Sequence, residues 1–237
     1  MIFRQIPSVD DARNSFNKKR NELNDIRQAI AFTHDKKRAA KELAVLDDEG
    51  WRQRFRNAKG ALTPEMQDLH TQRVIKRELV NEYDRLLAEQ EDEQQEVMLS
   101  TCGAARSYDQ KHRTILRTYS EMTLETALDE ASALIRAVAL RLHAQSRLSH
   151  DEEQLHSNDP FTREPHDVVM QEIMQALIER VGSYQLSAEG DPILEAIGLY
   201  GPNFSGLDQR LINSPAARIK LGKEIAARKQ AKAEEEE

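Results

Sequence analysis

"VDDARNSFNKKRNELNDIRQAI", residues 9–30, places an apolar side chain at every seventh position: Val9, Phe16, Leu23 and Ile30. Ala12, Ile26 and, further on, Ala40 fall at the offset positions between them. Apolar residues in these two registers make an a/d seam, the pattern of a helix that packs lengthwise against another helix. The seam predicts a helix from about Ser8 to about Leu46, with Asp10 and Asp11 favouring its positively polarised start. Lys19, Thr33 and Lys37 also fall on the seam, so part of this helix is expected to face solvent or a partner. A helix of ~38 residues spans roughly 57 Å, longer than a compact domain needs.

The next stretch, "DDEGWRQRFRNAKG" (residues 47–60), is bracketed by Gly50 and Gly60 and reads as a connection. It interleaves Trp51 and Phe55 with Arg52, Arg54 and Arg56. That pattern suits a nucleic-acid stacking patch. It suits better a turn whose aromatics cover the end of a helical hairpin while the arginines stay wet, because the chain as a whole is acidic. Thr63–Pro64–Glu65 then supplies a cap hydroxyl, a proline at the first helical position and an acid in the first turn. Met66, Leu69, Val80, Tyr83, Leu87 and Val97 carry near-heptad spacing to about Leu99. Two long helices with a short connection predict an antiparallel hairpin. The packing residues are expected to be Phe16, Leu23, Ile26, Ile30, Leu69, Val80, Tyr83 and Leu87. The acidic run Glu89–Glu96 reads first as a solvated face, with an acidic docking surface as the alternative.

Gly103 is expected to break or bend the chain, and Thr123 to cap a following helix with Leu124, Leu128, Leu134, Ile135, Val138 and Leu142 toward a core. A polar loop with Pro160 and Pro165 follows near 149–166. An amphipathic helix from about Asp167 to Val181 carries Val169, Ile173, Leu177 and Val181 on one face and stops at Gly182. In "DPILEAIGLYGPNF" (191–204), Asp191–Pro192 starts a helix of one to two turns that ends at Gly198. Ile193, Leu194, Ile197 and Leu199 are expected to be buried. Ser214–Pro215 opens a last helix with a basic face of Arg218, Lys220, Lys223, Arg228 and Lys229, and Glu234 to Glu237 close the chain. The organisation is thus a helical hairpin over 1–112, core helices with a polar loop over 113–190, and a C-terminal arm over 191–237, within one continuous domain.

Composition agrees with an all-α chain. Of 237 residues, 39% are hydrophobic and 32% charged, aromatics are 5%, and there are nine glycines and seven prolines. Sandwiches and barrels need more turns and more strand-forming residues. A net charge of −7 argues against general nucleic-acid binding. One cysteine, Cys102, excludes an internal disulfide and fits a reducing cytosol. No signal peptide is read in "MIFRQIPSVDD", and no apolar run approaches the ~20 residues of a membrane span.

Catalytic patterns are missing: no phosphate loop, no dinucleotide fingerprint, no nucleophile elbow. His34, His70, His112, His143, His150, His156 and His166 show no metal-ligand spacing with cysteine, and Cys102 has no evident base. A non-enzymatic protein without cofactor or metal is the expectation.

The order of segments carries a resemblance. "FNKKRNELNDIRQAI" (16–30), "DLHTQRVIKRELVNEYDRL" (68–86), "DPILEAIG" (191–198) and "SPA" (214–216) leading to "AARKQ" (226–230) succeed one another collinearly. In this succession the chain resembles the polarity suppression proteins of satellite phages. It departs from shorter members around "STCGAARSYDQKHR" (100–113) and in the loop from Ser149 to Pro165. The resemblance implies an all-α, intertwined homodimer that binds the host termination factor Rho and decorates the outside of a phage capsid. It places the protein in the host cytoplasm and on the virion exterior. The arm would then offer Tyr200, Phe204, Arg210, Arg218, Lys220 and Lys223 to a partner. The rival expectation is a purely structural capsid decoration or scaffolding protein. A third is a small nucleic-acid binder using "WRQRFR" and the last basic helix.

Overall fold

A computed structural model describes residues 4–153 and 164–236. Seven helices follow one another: α1 (Ile6–Asn57), α2 (Pro64–Glu130), α3 (Ser132–Glu153), α4 (Pro165–Ser183), α5 (Pro192–Ile197), α6 (Gln209–Asn213) and α7 (Pro215–Glu236). No strand occurs among the described residues, so the fold is all-α. The chain forms two compact units, one of Met1–Ile6 and His112–Tyr200, the other of Pro7–Lys111 and Gly201–Glu237.

In the second of these, the hairpin unit, α1 and the first part of α2 run antiparallel. Lys111 Nζ donates to the Ser8 carbonyl (3.2 Å) and Thr101 Oγ1 to the Lys19 carbonyl (3.2 Å). Lys37 pairs with Asp84, and Arg73 meets Asp48 at 3.1 Å. Val9, Ala12, Phe16, Leu23, Thr33, Ala40 and Ala44 are buried on α1, all of them in the seam's two registers. Thr33 is therefore not a solvent-facing interruption: its hydroxyl donates to the Ala29 carbonyl (2.9 Å), which removes the cost of burying it. Facing them on α2, Met66, Leu87, Cys102, Ala105 and Tyr108 are buried. Of the other expected packing residues, Ile26, Ile30, Leu69, Val80 and Tyr83 are half-buried.

Both long helices outrun their expected ends. α1 does not stop near Leu46 but passes through Gly50, and Trp51, one heptad beyond Ala44 in the same register, docks on α2 against His70 and Arg73. Nothing lies within 4 Å of a Cβ placed at Gly50 or Gly103, so each costs only the ~1 kcal/mol of glycine's poor helix propensity. Around Gly103, buried Thr101, Cys102 and Ala105 offset that cost, and α2 continues without a break. Thr123 lies inside α2, where its hydroxyl donates to the Tyr119 carbonyl (2.9 Å) rather than capping a new helix. Just past the end of α1, Lys59 and Gly60 are both at positive φ, with Gly60 N–H bonded to the Phe55 carbonyl and Lys59 N–H to that of Arg56 (both 3.0 Å). That pair of bonds is the Schellman closure of a helix end. The Thr63–Pro64 start of α2 is as read from the sequence, with Thr63 Oγ1 accepting from Met66 N–H at 3.4 Å.

The other unit holds the end of α2 with α3, α4 and α5. α3 extends to Glu153 where a loop was expected. Residues 154–163, which include His156 and Pro160, lie outside the described residues. α3 and α4 pack together, and Arg141 clasps Glu172 with two bonds (3.1 and 2.9 Å).

Candidate interaction surfaces

The stretch 191–198 folds as its residues dictate. One Asp191 carboxylate oxygen accepts from Ile193 N–H and Leu194 N–H (3.0 Å each). The other accepts from the Tyr119 hydroxyl at 2.5 Å. Burial pushes the Asp191 carboxyl up, but the Tyr119 hydroxyl and the two N–H groups outweigh it and hold the carboxyl below its ordinary value. The same bond pushes the Tyr119 phenol up. Gly198 closes the helix at φ +79°, a conformation that favours glycine, and its carbonyl bonds His112 Nε2 at 2.8 Å. Ile193, Leu194 and Ile197 are buried, while Leu199 is half-buried. This stretch is a packed corner of its unit.

Replacing Asp191 by Ala is expected to cost about 0.5–2 kcal/mol for the lost cap, with a defined pH dependence. Asp191 titrates lower folded than unfolded, so its contribution is complete above the ordinary aspartate range. It disappears as pH falls through the lowered folded value. Urea midpoints of wild type and Asp191→Ala should therefore converge on the acid side. A gap that stays constant through the carboxylate range would refute the assignment.

Tyr200 ends this unit and is 85% exposed. The other residues singled out for a partner belong to the hairpin unit. Phe204 is half-buried; Arg210 and Lys223 are exposed; Lys220 is exposed and lies 3.8 Å from Glu224. Arg218 is engaged within the chain, donating to the Leu211 and Ile212 carbonyls (2.6 and 3.0 Å). Arg228 and Lys229, read from the sequence as part of the same basic face, turn with Lys232 toward the acidic run of α2, a pairing the sequence does not disclose.

The "WRQRFR" stretch is helical, not a connection. Trp51 stacks on Phe55 (5.0 Å between centroids, 13° between planes), and His70 lies 5.6 Å away. Arg73 sits over the indole at 4.3 Å. Asp48 gathers Arg52, Arg73 and Arg77 at 2.8, 3.1 and 2.7 Å. Trp51 is thus engaged by its own chain, which favours the structural reading of these aromatics over base stacking.

The apolar surface of the α3–α4 unit is the largest departure from expectation. Leu124, Leu128, Leu134 and Ile135 were expected to face a core, yet each is half exposed or more. On α4 the inward stripe is Val169, Ile173 and Ala176; Leu177 and Val181 fall outside it. A second stripe, Met170, Met174, Ile178 and Val181, faces outward, with Met174 61%, Ile178 59% and Val181 70% exposed. These four recur at helical spacing and form one strip. Soluble monomers rarely leave large contiguous apolar patches in water, and those that exist mark interaction sites.

Among the described residues, no three His, Cys, Asp or Glu side chains are grouped to hold a metal ion, and no helix is long and apolar enough to cross a membrane. The geometry defines an all-helical protein whose exposed apolar helix faces suit it to association with other protein chains. No family model matches the chain. It belongs to the family of Glycoprotein 3 of Enterobacteria phage P4, to which it is 30% identical over 191 residues, covering 80% of this chain and 77% of that protein. It is also similar, at 27% identity and a TM-score of 0.75 over 96% of both chains, to a chain of the satellite phage P4 procapsid structure that includes the size determination (Sid) protein. The satellite-phage relationship read from the sequence therefore holds, with a capsid-associated relative; neither relative is described as a polarity suppression protein.

Proposed function

We propose that this chain is a structural, capsid-associated protein that assembles on a phage procapsid and fixes the size of the shell. The similarity to a chain of the P4 procapsid over nearly the full length of both carries this reading. The exposed strip on α4 supports it, because a protein that builds a lattice on a shell needs apolar surface left over after folding. Copies of the chain would associate as homodimers, a two-fold contact being the commonest closed arrangement of identical chains. The role requires no catalytic group, metal or cofactor. Its place is the host cytoplasm during assembly, then the outside of the shell.

The test is co-expression with the major capsid protein of the cognate phage, followed by sedimentation and electron microscopy of the shells. The chain is expected to sediment with them and to shift their diameters to one class distinct from that of the capsid protein alone. Unchanged shells free of the chain would overturn the reading. Saturable inhibition of Rho ATPase without shell binding would put the Rho-inhibitor reading in its place.

A further inference from the structure

The helices that follow residue 191 are held in two different ways. α5 and α6 each bury apolar side chains: Ile193, Leu194 and Ile197 in one, Leu211 and Ile212 in the other. Along α7 no residue whose side chain is described is buried; Leu221 and Ile225 are half-buried and Ile219 is 61% exposed. At its start, α7 is tied to α6 by Arg218. At Gly222 it passes close to α2, where an added Cβ would lie 3.7 Å from Leu99 Cδ2.

Beyond Gly222 the contacts are mostly ionic, with Ile225 the apolar exception. Arg228 donates to Asp92 (2.7 Å) and to Gln95 (2.6 Å); Lys232 donates to the other Asp92 oxygen (2.5 Å); Lys229 pairs with Glu96 at 2.7 Å. Glu89, Glu93 and Ile225 complete the lining of this groove. The hydrogen bond from Lys232 and the charge of Arg228 hold the Asp92 carboxyl below its usual value, and Asp92 pushes the Lys232 ammonium up. Arg228 and Lys232 are about half exposed, at 42% and 51%, so the network is open to salt. Such pairs are weak singly, gain when shared in a network, and are screened once the Debye length falls to a few ångströms. The part of α7 from Gly222 onward is about 15 residues, the length at which an unsupported helix is marginal in water, so losing the dock leaves it to fray.

We propose that the C-terminal half of α7, from Gly222 onward, is a strap latched to the acidic run of α2 mainly by charge, released by ionic strength while α5 and α6 stay in place. The docked strap pairs two faces with each other. The basic face of Arg228, Lys229 and Lys232 and the acidic face of Glu89, Asp92, Glu93 and Glu96 neutralise each other until the strap opens. This inference does not depend on the capsid role.

Amide hydrogen exchange on the full chain decides it. In 50 mM NaCl, residues 225–234 are expected to be protected; in 500 mM NaCl their protection should fall at least tenfold, a change of about 1.4 kcal/mol or more, while residues 193–197 and 209–213 keep theirs. Asp92→Asn with Glu96→Gln, near-isosteric changes at the α2 surface, should produce the same loss already at 50 mM. Protection of 225–234 that is indifferent to salt, or that survives in the double variant, would overturn the proposal. Exchange at the unfolded rate in 50 mM would overturn it as well, since the strap would then have no docked state.

Discussion

Met174→Asp combined with Ile178→Asp is expected to leave the helices intact and to abolish self-association. Both side chains are mostly exposed, so the folded chain loses little when they become carboxylates. Covering each in an interface is worth about 1.5–3 kcal/mol. A two-fold contact uses the same strip from both chains, so each substitution counts twice. Even after the cost of association, losing them weakens the contact by several kcal/mol, at least ~100-fold in Kd. Charge at the centre of the strip adds a desolvation penalty. Sedimentation velocity should show a wild-type oligomer and a monomeric variant with the same far-ultraviolet dichroism. A wild-type chain that is monomeric at tens of micromolar, on the order of the concentrations where weak interfaces fill, would show that this strip is not where copies meet. A variant that assembles normally would show the same.

The second large effect concerns the corner at 191–198. Ile197 is fully buried at the last position of α5. Truncation to Ala removes three carbons from a packed site, and the cavity left behind adds to the lost transfer energy, for a total of about 2–5 kcal/mol. α5 has only six residues and cannot hold itself in water. Its place depends on three buried side chains together with the Asp191 cap, so Ile197→Ala should loosen the whole corner. Denaturant unfolding with hydrogen exchange should show a reduced midpoint and faster exchange of residues 193–198. A loss under about 0.5 kcal/mol, the range of ordinary surface substitutions, would mean that the corner packs less tightly than its burial shows.

Local chemistry made part of this fold legible in advance. Thr63–Pro64, Asp191–Pro192 and Ser214–Pro215 all begin helices where expected, because a cap and a proline act within one turn and need no tertiary context. The α1 seam could be read because seven-residue spacing fixes which side of a long helix faces its neighbour. Gly50 and Gly103 misled because a propensity cost of ~1 kcal/mol is small beside the burial of residues around them. On α4 the sequence carries two apolar stripes, Val169–Ile173–Ala176 and Met170–Met174–Ile178–Val181, and periodicity alone cannot say which is covered. The basic helix reads as a face for a partner, and the run Glu89–Glu96 as a solvated face or an acidic docking surface. That they neutralise one another became visible only when the fold placed them side by side.

Cys102 gives the hairpin unit a built-in clock. Its sulfur is fully buried, 3.9 Å from Met98 Sδ and 3.8 Å from the Asp208 carbonyl, and burial pushes the thiol up, away from the reactive thiolate. A thiol reagent can reach it only when the packing around α2 parts. Because the sequence contains no other cysteine, every labelled molecule records one such opening. The labelling rate therefore measures how often the native hairpin breathes.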